Sequence, residues 1–171
     1  MPNWCWNRLE VQGTEKDMTE FYSLFKVNDH KTCEEFKMDW FVPRPEDENE
    51  NWYDWNVENW GTKWDIHEAE LDIEIPIFIV TFDTAWSPPI QFFERLTEMF
   101  PNLTMEMEYE EPGMAFCGIA HYSDGDIDHS IGEIIQISDC CEKEIDWDDD
   151  YESSCSKCGQ ECESQNEHSY H

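Results

Sequence analysis

Two stretches of this chain alternate strictly between acidic and apolar side chains, and few backbones accept that pattern. In HEAELDIEI (67–75), Glu68, Glu70, Asp72 and Glu74 interleave with Ala69, Leu71, Ile73 and Ile75. In TMEMEYEE (104–111), Glu106, Glu108 and Glu110 interleave with Met105, Met107 and Tyr109. Successive side chains of a strand point to opposite faces, so a period of two predicts two strands, each with one apolar face and one file of carboxylates. Like charges in a file repel one another, so the pattern asks for a reason beyond solubility.

The rest of the chain supplies a frame for these strands. CWNRLEVQG (5–13) reads as a strand with Leu9 and Val11 inward, closed by Gly13. Thr14 with Asp17 three residues on is a capping-box-like start for a helix. That helix carries Met18, Phe21, Tyr22 and Phe25 and runs to about Val27. FVPRPEDENE (41–50) reads as an acidic loop, and NWYDWNVENWGTKWD (51–65) as a short Trp-rich helix ended by Gly61. IFIVTFDT (77–84) is apolar on both faces, as a central strand would be. Ser87 before Pro88 and Pro89 predicts an N-capped helix start, with Ile90, Phe93, Leu96 and Phe100 as its buried stripe. After the second acidic strand, Pro112-Gly113 makes a turn, MAFCGIAHY (114–122) returns as a hairpin partner, and SDGDID (123–128) turns again. The expected fold class is α+β: a ferredoxin-like βαββαβ antiparallel sheet with helices on one face, one extra C-terminal strand and a Cys-rich acidic tail. Residues 1–138 form the domain, with a Trp-rich insertion at about 41–65, and 139–171 form the tail.

Charge narrows the function. There are 41 acids against 10 bases, a net charge of −31, of which the tail holds only 11 acids and 2 bases. A magnitude of about 2–8 suffices for solubility, and a larger one costs self-repulsion. Such a surface repels nucleic acid and anionic membranes and attracts basic surfaces. The opening residues show no basic-then-apolar leader, and no run of about 18 apolar residues exists, which predicts a soluble, non-secreted protein. In a reducing compartment the cysteines crowded at Cys140, Cys141, Cys155, Cys158 and Cys162 suit metal better than disulfides.

MPNWCWNRLEVQG, NWGTKWD, FDTAWSPP and YEEPGMAFCG, in that order, resemble the YubB-like family of phage and plasmid proteins over about residues 1–125. The resemblance implies a ferredoxin-like domain, a mobile-element origin and hence the cytoplasm of a host cell. It implies no established chemistry.

The candidate sites are three. First, Glu68, Glu70, Asp72 and Glu74 on one strand and Glu106, Glu108 and Glu110 on the other form the expected partner-binding surface. In ferredoxin-like order these strands lie at opposite edges of the four-stranded core, three steps or about 14 Å apart. The B-DNA major groove is about 12 Å wide, so the rows can imitate a polyanion. The partner would be a basic, nucleic-acid-binding host protein, such as a defence nuclease, inhibited by a nucleic-acid mimic. Edge-strand protection is the competing reading. Second, Cys155-Ser-Lys-Cys158, completed by Cys140 or Cys141 and Cys162, with His168 as a substitute, reads as a structural zinc knuckle, against a tail of reduced thiols. Third, Asn59, Trp60, Lys63 and Asp65 within the Trp-rich stretch line a ligand pocket if the chain is instead a small ligand-binding or metal-dependent enzyme domain. The competing reading of that cluster is a packed core. Asp124, Asp126 and Asp128 suit either a divalent cation or a surface turn. No catalytic constellation is evident, so the leading expectation is a non-enzymatic inhibitor that acts through protein–protein contact, without direct nucleic-acid or membrane binding.

Overall fold

The computed structural model describes residues 2–23, 26–27, 33–35, 37–74, 77–138, 145–147, 153–155 and 164–170. Alternation builds its sheet. In β1 (Trp4–Gln12), Cys5, Asn7, Leu9 and Val11 are buried and their neighbours are not. In β6 (Thr104–Glu111), Met105, Met107 and Tyr109 are buried. With β4 (His67–Glu74), β5 (Ile77–Ala85), β7 (Phe116–Ser123), β8 (Asp126–Ser138) and β11 (Ser164–Tyr170), these form one sheet in the order β11-β8-β7-β6-β1-β5-β4. Every pairing in it is antiparallel.

Three α-helices among the described residues, α1 (Glu15–Tyr22), α2 (Trp52–Trp60) and α3 (Ile90–Met99), join the apolar face in a single core. Phe21 of α1 packs edge-on against Phe78 at 5.4 Å, and Phe93 of α3 lies 6.0 Å from Phe82 and 6.3 Å from Tyr122. Trp60 of α2 is 4% exposed, and its indole N–H donates to the Val42 carbonyl at 3.0 Å. Gly61 ends α2 at φ 86°, a left-handed conformation that costs glycine little. None of the described helices is long and apolar enough to cross a membrane.

Several expectations need correcting. α1 stops at Tyr22, not near Val27, because Ser23 closes the last turn through its Oγ–H to the Glu20 carbonyl. Lys26–Val27 (β2) instead pairs with Cys33–Glu35 (β3). Ser87 does not cap α3: the two prolines delay the helix, and the hydroxyl donates to the Gly61 carbonyl at 2.6 Å. The buried stripe of α3 is Phe92, Phe93, Leu96 and Thr97, with Ile90 and Phe100 half-buried. The turn expected at 123–128 is only Asp124-Gly125, both at positive φ (54° and 83°), and a 13-residue strand follows it at once. Beyond β6 the sheet therefore gains three strands rather than one. Between α1 and β4 lie β2, β3, two 3-10 turns (Met38–Trp40 and Glu46–Glu48) and α2. Farther on, β9 (Ile145–Trp147) pairs with β10 (Ser153–Cys155), and residues 164–170, read as tail, return to the sheet as β11.

Candidate functional site

The side chains that alternate away from the core form a lattice fixed by strand register. One row across the sheet runs Glu70–Thr81–Arg8–Glu108–Ile119, and the next runs Ile79–Glu10–Glu106–His121–Asp128, with the Asp72 backbone in register beside Ile79. A third brings Asp83, Trp6, Glu110 and Cys117 together. The expected three-step spacing between β4 and β6 is observed, through β5 and β1. β4 and β6 bound the four-stranded core as expected, and the expected hairpin partner, β7, flanks β6, so β6 is an interior strand of the seven-stranded sheet.

The first acidic file is less regular than its sequence. Register shifts between His67 and Glu70, and Glu68 sits at φ 47°. A bulge thus turns Glu68 into solvent while Ala69 stays buried. Asp72 and Glu74 are in register with Ile79 and Ile77, and their side chains lie outside the described residues.

The second file is partly matched by local donors. The His121 ring lies 3.1 Å from Glu106, and His168 of β11 reaches Glu110 at 2.9 Å. Arg8, in register with Glu108, binds Glu10 at 2.9 Å. Hydrogen bonds from Gln12 and Arg8 hold Glu10 below the usual carboxylate range. Glu111, 1% exposed, faces the core side and accepts from the Gly113 and Met114 N–H groups, which fixes the Pro112-Gly113 turn.

Two hollows mark this face. One, about 190 Å³, is lined by Trp6, Glu68, Glu70, Thr81, Phe82 and Asp83. Burial, then the Glu68 charge, raises the Asp83 carboxyl above its ordinary value against the pull of His67. The other, about 330 Å³, holds Glu10, Glu106 and His121.

The four residues of the expected ligand pocket are each committed elsewhere. Asn59 donates to the Trp55 carbonyl and accepts from Arg95 at 2.6 Å, and Trp60 is a core residue. Asp65 accepts from the Met38 and Ile66 N–H groups at 2.7 and 2.9 Å, and burial raises its carboxyl. The Lys63 ammonium lies over two indoles, 4.6 Å from Trp64 and 4.2 Å from Trp86.

Lys63 belongs to an aromatic cluster that is only partly core. Trp4 lies 4.7 Å from His67 and 6.4 Å from Trp64, Trp86 is 6.2 Å from Tyr53, and Tyr53 is 5.9 Å from Trp52. Trp6, Trp52, Tyr53, Trp64 and Trp86 are each 36–40% exposed. Trp86 adopts φ 74°, and its N–H donates to the Asn3 carbonyl at 2.9 Å. The signal available in sequence was the density of Trp flanked by Asn, Asp and Lys, which buried Trp rarely needs.

Cys140, Cys141, Cys158 and Cys162 lie outside the described residues, as does the Cys155 side chain, so the zinc expectation falls there. Among the described residues no three His, Cys, Asp or Glu side chains form a group able to hold a metal ion, the Asp124–Asp128 turn included. Burial pushes the Cys5 thiol up to about 12 and raises Cys117, so neither is an activated nucleophile.

No curated protein matches this chain. Among solved structures, protein api92 from Yersinia pseudotuberculosis is similar with a TM-score of 0.43 and 22% identity, over 48% of this chain and 29% of that one. The chain thus spans less than a third of that protein. Residues 59–140, from the end of α2 through β8, match the family model described as the ferredoxin-like domain in Api92-like protein, and it is this ferredoxin-like domain that the segment is similar to.

Proposed function

We propose that the face of the sheet opposite the described helices is the docking surface of a non-enzymatic, phage-type protein that binds a basic, nucleic-acid-binding partner by imitating a polyanion. The observation that carries the reading is the placement of Glu106, Glu108 and Glu110 on an interior strand. Protection of an exposed edge gives an interior strand no reason to carry acids. Among the described residues no helix lies over that face, and a second set of acids stands three strands away on β4. Glu106 and Glu110 lie 3.1 and 2.9 Å from imidazoles, whereas Glu68 is 3.8 Å from the His67 ring and largely exposed, so Glu108, Glu68 and Glu70 are the carboxylates most available to a partner. The resemblance of the four quoted motifs to the YubB-like family supports the mobile-element setting and a host defence protein as target. We read β1, α1, β4, β5, α3 and β6 as the βαββαβ unit, with β2, β3 and α2 inserted.

The test is capture from host lysate at low and high salt, followed by competition with duplex DNA. The captured partner should be lost at high salt, displaced by duplex, and absent when Glu68, Glu70, Glu106 and Glu108 are changed to Gln. A partner retained equally by that variant overturns the reading.

A further inference from the structure

Aromatic rings line one end of the sheet as a belt. Trp4 lies 6.4 Å from Trp64, the Lys63 ammonium bridges Trp64 and Trp86, and Tyr53 links Trp86 to Trp52 on α2, while Trp6 stands two residues from Trp4 on the same strand, toward the acidic face. Contiguous aromatic exposure of this extent marks an interface, and Trp and Tyr dominate binding energy at interfaces. The chain holds Trp86 in a left-handed backbone that bulky residues avoid. Two independent observations give the occupant its chemistry. The belt already seats a cation, since the Lys63 ammonium rests 4.2–4.6 Å from two indole centroids. The 190 Å³ hollow at its end sets the Trp6 indole beside Glu68, Glu70 and Asp83, room for one side-chain head group. A guanidinium is planar, stacks on an indole and pairs with a carboxylate through its fork, whereas an ammonium is a compact, strongly hydrated point charge.

We propose that the belt and its adjoining hollow seat arginine side chains of a basic protein segment, with Trp6 as the platform and Glu68 and Asp83 as the anionic wall. This rests on the docking surface proposed above and names the residue type that surface reads.

The experiment measures anisotropy of labelled octa-arginine and octa-lysine peptides titrated with the full chain. The arginine peptide should bind about fivefold tighter than the lysine peptide, in keeping with one stacked cation. Trp6→Ala should bring the ratio to about one, with folding checked by circular dichroism. If that variant does not fold, Trp6→Leu, which keeps an apolar side chain but no ring, should do the same. Glu106→Gln with Glu108→Gln should weaken both peptides by a similar factor and leave their ratio intact. Equal binding of the two peptides to the unmodified chain, or an unchanged ratio in a folded Trp6 variant, overturns the arginine proposal. If the carboxylate pair has no effect while the ratio depends on Trp6, the polyanion reading fails and the arginine site stands.

Discussion

Replacing Asp83 by Asn should stabilise the fold and weaken binding at the same time. Asp83 shares the Trp6 hollow with Glu68 and Glu70, and burial and the Glu68 charge both disfavour its ionised form. Two unit charges about 6 Å apart in a water-like medium repel by about 0.7 kcal/mol. At physiological ionic strength, screening over about 8 Å roughly halves that. Burial and the Glu68 charge, partly offset by His67, leave a gain of about 0.5 kcal/mol once the half-buried side chain is discounted for solvent. For a chain of this length that is about 1–2 °C in melting temperature. The pH dependence has a definite sign. The folded carboxyl titrates above its unfolded value, so the cost it imposes is complete at pH 7. The cost shrinks as pH falls through the folded value and vanishes below the unfolded one. Thermal melts of the two proteins should therefore differ at pH 7 and coincide by about pH 3. A lower melting temperature for Asp83→Asn at pH 7 would mean that a cation compensates the carboxylate, and the hollow would not then be an open anionic wall.

Gly118→Ala should destabilise by about 2 kcal/mol or more, since its Cβ would run into the Tyr109 Oη and Cζ. Burial raises that phenol to about 12 and lowers the His129 imidazole, and the Tyr109 hydroxyl and His129 Nε2 share a hydrogen bond of 2.8 Å. Displacing the ring loses that bond as well, and urea unfolding reads the total. Asp65→Ala should cost about 2 kcal/mol by stranding the Met38 and Ile66 N–H groups, yet leave both peptide affinities unchanged. Lost affinity in a folded Asp65→Ala variant would restore Asp65 as a binding residue. If the tail cysteines close a thiolate site, elemental analysis of the purified protein should find one zinc per chain, absent after removal of residues 139–171.

Local chemistry was legible wherever one segment determined it. The alternation at 104–111 gave β6 residue for residue, Thr14 does accept the Asp17 N–H at 3.3 Å, and Gly61 does end α2. What escaped depended on remote partners. The bulge at Glu68 leaves the alternation of letters intact while breaking its geometry. β8 mixes Ile, Gly and charged residues because its two halves pair with different strands, β7 and β11. The acidic files were visible as letters, but not the His168 contact with Glu110, which spans 58 residues. The Trp-rich cluster was open to two readings, a ligand site or a packed core, and the structure divides it: Trp60 is buried, whereas Trp6, Trp52, Trp64 and Trp86 stay exposed. Trp density predicts a core, and only the meeting of β1, the α2–β4 loop and the end of β5 leaves those rings in the open.

The strand nearest the start of the chain lies inside the sheet, paired on one side with residues 77–85 and on the other with residues 104–110. Until the ribosome has delivered those later segments, β1 has no permanent neighbour on either flank. Assembly must wait for distant chain ends to find each other, which makes folding slow and leaves apolar strands open to chaperones meanwhile.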